Sequence, residues 1–347
     1  MSEPRVTLVQ VAARAGVART TAGYVLNGQD AQMRISEDTR HRVLRAAAEM
    51  NYRPNVMARS LRTTIERPIA VLSDTLATEP WGGALLEGCL LEAARLGRLV
   101  TVGETRRDPV LADALVEMFL DEQIETFVVA SVYPREIELP TALRGHRVVM
   151  LNCAATDHDV PAVLPAEADA GREAGRLLLA QGIADRVWLV GDRAPHAYAP
   201  GRDRERGLRQ ELARAGADVV ATFDCAWEPE AAYEAVRAAL KGRPTPSGLI
   251  CLNDRIAFGA YQALTEQGLS VPDDVAVLAF EASVVAEWLR PAVTSVDRPL
   301  RAMGRRAVEL ALAVKPPSGH ELMPMTVHVR ASTQGRATRG RRRTELS

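Results

Sequence analysis

The chain has 347 residues, 47% hydrophobic and 25% charged, with a net charge of −1. That length allows two or three domains with a sizeable core. The absence of any apolar run near 18 residues excludes a membrane-spanning helix, and MSEPRVTLVQ lacks the basic-then-apolar pattern of a secretory signal, so a cytoplasmic location is expected. The cysteines Cys89, Cys153, Cys225 and Cys251 are widely spaced with no CxxC, which fits reduced core thiols and not a disulfide or zinc frame.

The near-zero charge conceals an uneven distribution. Residues 1–62 hold ten arginines against five acids, and residues 330–347 hold six against one. The remainder carries 27 basic and 38 acidic residues. A basic head on an acidic body suits a polyanion-binding head.

In chain order, Thr7-Leu-Val-Gln10 reads as a capping box, with Val9, Ala12, Ala13 and Val17 as the apolar face of a first helix that stops at Gly16. A second short helix is predicted from about Ala18 to Leu26, ended by Asn27-Gly28. Ser36 caps a third over Glu37 to Met50, where Val43, Leu44, Ala47 and Met50 repeat at helical spacing. Three small helices with a tight turn between the first two form a helix-turn-helix. The second helix, RTTAGYVL, is polar and contains glycine, a poor composition for a helix formed for stability alone. It reads as a major-groove helix, in which Arg19 addresses guanine, the threonines meet bases or phosphates, and small Ala22 and Gly23 allow close approach to DNA.

VTLVQVAARAGVARTTAGYVLNG, ISEDTRHRVLRAAAEMNYRPN and ARSLR closely resemble the lactose-repressor family of bacterial transcription regulators. The resemblance implies that Arg19, Thr20 and Tyr24 face base edges and that Thr7, Thr21 and Asn27 hold phosphates. It also implies a hinge helix over 53–62, where Leu61 wedges into a minor-groove step and Ala58 lies against the groove. Ala18 and Gly23 stand where the family commonly has serine, and Gln10 where it commonly has aspartate.

Beyond a linker at 63–68, apolar strands alternate with amphipathic helices. Strands are predicted at Ile69–Ser73, Leu99–Gly103, Thr126–Ala130, Val148–Asn152, Val187–Gly191, Leu249–Asn253 and Val275–Phe280. This is the rhythm of doubly wound parallel sheets, with ligands at the carboxyl ends of the strands. Two such subdomains are expected, about 69–164 plus 298–323 and 165–297 plus 324–333. LNDRIAFGAYQALTEQGLSVPDDVAVLAF and WLRPAVTSVDRP are similar to the family's effector-binding domain. The implied fold class is therefore α/β, an all-α helix-turn-helix head on a periplasmic-binding-protein-like body.

By that resemblance Asp254 is the ligand carboxylate, although its place at a helix start equally suits an N-cap. Arg204 matches a ligand arginine, against a solvated helix face. Trp227 matches a stacking aromatic, against a helix-start staple. Asn152, Trp81, Asp74, Arg135 and Glu281 complete the candidate set, with Glu281-Ala282 replacing the family's usual Asp-Asp. Such a set suits a sugar, and would also suit a carboxylate or a purine.

The resemblance implies a homodimer on a palindromic double-stranded DNA operator and a small-molecule effector, commonly a carbohydrate. No cofactor, metal or membrane partner is expected. No GxGxxG follows a strand, no GxxxxGK[ST] appears, and the six histidines show no metal spacing, so an enzyme is not expected. The rival readings are a sensor of a purine or sugar acid, or a binding module without DNA affinity. The arginine-rich tail, 334–347, is expected to be disordered.

Overall fold

The computed structural model describes residues 6–26, 28–50, 52, 67–79, 82–156, 160–191, 199–315 and 318–334. The predicted hinge helix, most of the linker, nearly all of the tail, and Asn27, Ala58, Leu61 and Trp81 lie outside the described residues. The chain divides into two compact units, Met1–Arg67 and Pro68–Ser347.

The first unit holds α1 (Leu8–Ala15), α2 (Arg19–Leu26) and α3 (Glu37–Glu49). The Thr7 hydroxyl accepts from Gln10 N, and Gln10 Oε1 accepts from Thr7 N at 2.8 Å, completing the capping box. Gly16 ends α1 at φ 66°, a left-handed conformation that costs glycine nothing. The apolar face of α1 differs in phase from the sequence reading. Val11, Ala12 and Ala15 are buried, while Val9 and Ala13 face outward, because the closing contacts come from α2 and α3 together. In α3 the buried residues are Val43, Ala46 and Ala47, and Leu44 is exposed.

The second unit contains two six-stranded sheets. The first is built from β1 (Ile69–Ser73), β2 (Val100–Glu104), β3 (Thr126–Ala130), β5 (Arg147–Leu151), β7 (Ala162–Pro165) and β13 (His320–Met323), in the order β13-β7-β5-β3-β1-β2 and parallel throughout. β4 (Glu136–Ile137) and β6 (Ala154–Ala155) form a separate short pair. Around this sheet lie α4 (Gly83–Arg95), α5 (Pro109–Asp121) and, late in the chain, α11 (Leu300–Leu312). All five residues of β1 are buried, as expected of a central strand covered on both faces.

The second sheet is built from β8 (Val187–Val190), β9 (Val219–Phe223), β10 (Gly248–Cys251), β11 (Ala276–Glu281), β12 (Thr294–Asp297) and β14 (Thr326–His328). Its order is β14-β12-β11-β10-β8-β9, with only β14 antiparallel. Its helices are α6 (Glu167–Ala180), α7 (Ala199–Arg214), α8 (Pro229–Gly242), α9 (Asp254–Glu266) and α10 (Val284–Trp288). The strand order reverses direction between β1 and β3 in one sheet and between β8 and β10 in the other. In open α/β sheets the ligand crevice forms at such a reversal, outside the carboxyl ends.

The predicted strands all occur, some displaced by a residue. Leu99 is excluded from β2 and is exposed, since β2 is an edge strand. β4, β6, β7, β9, β12, β13 and β14 have no counterpart in the sequence reading. In β12, buried Thr294 and Ser295 are held by hydrogen bonds to Ser332, Thr333 and Asp254, so no apolar run marks the strand.

Candidate functional site

In the head, α2 presents Arg19 and Thr20 to solvent, with Thr21 and Tyr24 half-buried. Ala22, Gly23 and Val25 are buried inward. A Cβ on Gly23 would lie 3.8 Å from Leu8 Cδ2 in α1. The small residues therefore serve helix–helix packing, which overturns the reading that they allow close approach to DNA. Thr7 sits exposed at the α1 N-terminus, where free N–H groups and the helix dipole favour an anion.

In the body, the candidate side chains among the described residues lie at the carboxyl ends of both sheets. Asp74 follows β1 and is buried. Its Oδ2 lies 2.8 Å from Ser131 Oγ, and its Oδ1 accepts from Thr75 N (2.8 Å) and Val132 N (3.3 Å). Arg135 Nη2 reaches Oδ2 at 3.3 Å. Asn152, after β5, is buried at φ 56°, a conformation asparagine tolerates better than most residues. Its Nδ2 donates to the Ser131 and Val132 carbonyls at 2.9 Å each, while its Oδ1 is buried with no protein partner.

At the second sheet, Arg204 is fully buried, against the solvated-face alternative. Glu167 grips it in a bidentate pair, with Nη2 donating to Oε1 at 2.8 Å and Nε to Oε2. Nη1 donates to the Leu252 carbonyl at 2.6 Å. The guanidinium lies 5.0 Å from the Phe280 ring centre and 5.6 Å from that of half-buried Trp227. The pairing depends on how closely α6 and α7 pack. A Cβ on Gly171 would meet Arg204 O at 2.0 Å, and one on Gly207 would meet Ala168 O at 2.0 Å. Only glycine allows this contact, and the contact brings Glu167 beside Arg204.

Asp254 does not cap its helix. Asn253 does, accepting from Ile256 N at 2.8 Å, which leaves the Asp254 carboxyl free for other partners. Its Oδ1 accepts from Ser295 Oγ (2.7 Å) and its Oδ2 from Ser283 N (2.6 Å). Burial, followed by the nearby Glu281 charge, raises its pKa from 3.8 to about 7. Glu281 ends β11 at φ 99°, 3.9 Å from Arg298 Nη2. Arg255 pairs with Glu228 at 3.0 Å and lies beside the Tyr133 hydroxyl, so the ends of the two sheets meet across one cleft.

Sequence reasoning missed Glu167, Ser131, Tyr133, Arg255, Glu228 and Arg298. Glu167 opens α6, where an acid is ordinary, so nothing in the sequence distinguishes it from a dipole-complementing surface residue.

A helix-turn-helix head followed by a two-sheet α/β body, with polar side chains gathered at the switch points of both sheets, defines a ligand-responsive DNA-binding regulator. Residues 7–55 match the family described as bacterial regulatory proteins, lacI family, and residues 165–333 match the periplasmic binding protein-like domain. A sucrose operon repressor of Escherichia coli is 31% identical over 314 residues, covering 87% of this chain and 92% of that protein. The repressor PurR of Mannheimia succiniciproducens is 26% identical over 308 residues, covering 88% and 90%. Among solved structures, the Lac repressor dimer bound to operator and an anti-inducer superposes with a TM-score of 0.80 at 23% identity, covering 96% of this chain and 100% of that one. A complex of the regulator CelR with cellobiose gives 0.64 at 25% identity, covering 94% and 100%. The chain belongs to the LacI family of bacterial transcription regulators.

Proposed function

We propose that this regulator is a repressor that holds a two-fold symmetric operator as a homodimer and responds to a neutral, polyhydroxylated effector, a sugar, in the cleft between its two sheets. The head spans 1–62, including a hinge at 53–62. Arg19, Thr20 and Tyr24 read bases, Thr7, Thr21 and Asn27 hold phosphates, and Ala58 and Leu61 enter the minor groove. Asp74, Trp81, Arg135, Asn152, Arg204, Trp227, Asp254 and Glu281 surround the effector. The exposed apolar side chains Phe258, Val284 and Trp288, on the adjacent helices α9 and α10, suit contact with a second copy.

The observation that carries the effector class is charge balance. Arg135 has Asp74, Arg204 has Glu167, Arg255 has Glu228 and Arg298 has Glu281. Arg107 shares Asp74 with Arg135, whereas Arg204, Arg255 and Arg298 each have a carboxylate of their own, so the second-sheet end of the cluster lacks the spare positive charge that a phosphate or sugar acid requires. The groups in the cluster that suit a hydroxylated ring are the half-buried Trp227 ring and, once their buried positions open to a ligand, the Asn152 Oδ1 and the Asp254 carboxyl. The similarity to the sucrose repressor supports the same class.

A thermal-shift screen of the full chain tests this. Ligand at 100 times its Kd stabilises a native state by about 2.7 kcal/mol. Neutral sugars are expected to shift the melting temperature, and a response confined to sugar acids, sugar phosphates or purines would refute the assignment.

A further inference from the structure

Among the described residues the body buries three arginines, Arg204, Arg255 and Arg298, and of these only Arg298 makes no side-chain hydrogen bond. It is 5% exposed, and its Nε is buried without a partner. Its carboxylate, Glu281, stays 3.9 Å from Nη2, beyond hydrogen-bond reach. Arg204 shows the alternative in the same cluster, since its Nε and Nη2 together hold Glu167. On Arg298 that two-donor edge is unused. A buried guanidinium left without acceptors is costly, and in native proteins such a group has a reason.

Arg298 lies where a ligand would supply the acceptor. It directly follows β12, at the carboxyl end of the second sheet, on the segment that returns the chain to α11 of the first. Glu281 and Asp297 are register partners on β11 and β12. One residue on, Ala282 N donates to Ser295 Oγ at 2.9 Å, and that hydroxyl donates to Asp254 Oδ1 at 2.7 Å. The Glu281 charge is, after burial, the next cause of the raised Asp254 pKa. The Arg298–Glu281 pair therefore belongs to the same polar cluster as Asp254. β11 ends there in two consecutive non-glycine residues of left-handed backbone, Glu281 at φ 99° and Ala282 at φ 48°. Such backbone persists where the surrounding structure enforces it, and it concentrates at ligand sites.

The charges restrict what fits. Nε and Nη2 can donate to two oxygens, but Glu281 beside them repels an anion. A hydroxyl satisfies both groups, accepting from Arg298 and donating to Glu281. We propose that Arg298 is a specificity-determining residue of the effector site, donating through its Nε–Nη2 edge to hydroxyl oxygens of the effector, while Glu281 accepts from a hydroxyl and excludes anions. The assignment rests on the neutral-sugar reading above and deepens it.

Isothermal titration of the full chain with glucose, galactose, fructose, ribose and sucrose, and with gluconate and glucuronate, tests it in the unmodified protein, in Arg298→Lys and in Glu281→Gln. Arg298→Lys keeps the charge opposite Glu281 and removes the two-donor edge. It should weaken the neutral sugar that binds by about tenfold or more, while Tm stays within about 2 °C because no hydrogen bond within the protein is lost. Glu281→Gln removes the excluding charge and should gain measurable affinity for gluconate or glucuronate, neither of which binds the unmodified chain. A sugar Kd within about twofold of the unmodified value in Arg298→Lys overturns the assignment while leaving the sugar reading in place. So does weaker binding accompanied by a fall in Tm of more than about 4 °C, which marks a purely structural pair. Continued exclusion of both acids by Glu281→Gln also overturns it, and decides the matter if Arg298→Lys does not fold. Failure of all five neutral sugars to bind the unmodified chain overturns the sugar reading and this assignment together.

Discussion

Replacing Asp254 by Asn should make the protein more stable and less responsive. The carboxyl is buried, and its folded-state pKa is raised from 3.8 to about 7. A carboxyl raised in the folded state contributes stability below its unfolded pKa and loses it as the pH rises through the folded value. At about 1.4 kcal/mol per pKa unit, ionised Asp254 costs the native body about 4 kcal/mol once the pH exceeds 7. Asn fills nearly the same space, can keep an acceptor toward Ser283 N, and cannot ionise. The advantage of Asp254→Asn should be near zero at pH 4 and rise to about 4 kcal/mol at pH 8. At roughly 2 °C per kcal/mol for a body of this size, that is about 8 °C in Tm. Urea titrations of both proteins between pH 4.5 and 8.5 read the difference directly. Effector binding should weaken at least tenfold with the loss of a charged acceptor. A stability gap that does not widen with pH would refute the claim that Asp254 is a buried, destabilised carboxyl.

Other changes act on separate parts of the structure. Glu167→Gln removes the charge opposite fully buried Arg204 and should cost about 3–5 kcal/mol, visible as a lower urea midpoint. Arg19→Ala should lower affinity for specific DNA by about 1–3 kcal/mol without changing Tm, since Arg19 is exposed; fluorescence anisotropy on specific and scrambled duplexes separates the two effects. Gly23→Ala places a methyl at an ordinary 3.8 Å from Leu8 and should stabilise α2 by up to about 1 kcal/mol with operator affinity unchanged. A drop in affinity would mean that Gly23 faces DNA after all.

The bounds of the three head helices and the caps of α1 and α3 were legible because their signals are local. A capping box, a left-handed glycine and a serine cap each act within one turn of helix. The phase of the apolar faces was not legible, since burial of Val11 instead of Val9 depends on where α2 and α3 close. In the body the apolar strands were visible, while β12 was hidden because hydrogen bonds bury its Thr294 and Ser295. Candidate residues such as Asp254 and Arg204 stood out through the family resemblance. Their partners did not, because Glu167 meets Arg204 across 37 residues through a glycine contact between two helices. The neighbouring Asn253 took the capping role and released Asp254 for the cleft. Sequence spacing records neither event.

The most direct test of the account is effector-dependent operator binding. Duplexes enriched from a random library by the full chain would be titrated by fluorescence anisotropy at fixed salt, with and without saturating neutral sugar, for the unmodified chain and for Asp254→Asn. The account predicts enrichment of a two-fold symmetric site, an affinity that one sugar changes at least tenfold, and an Asp254→Asn variant that binds the same site with the response lost. No enriched sequence, or a sugar response that survives Asp254→Asn unchanged, would contradict it.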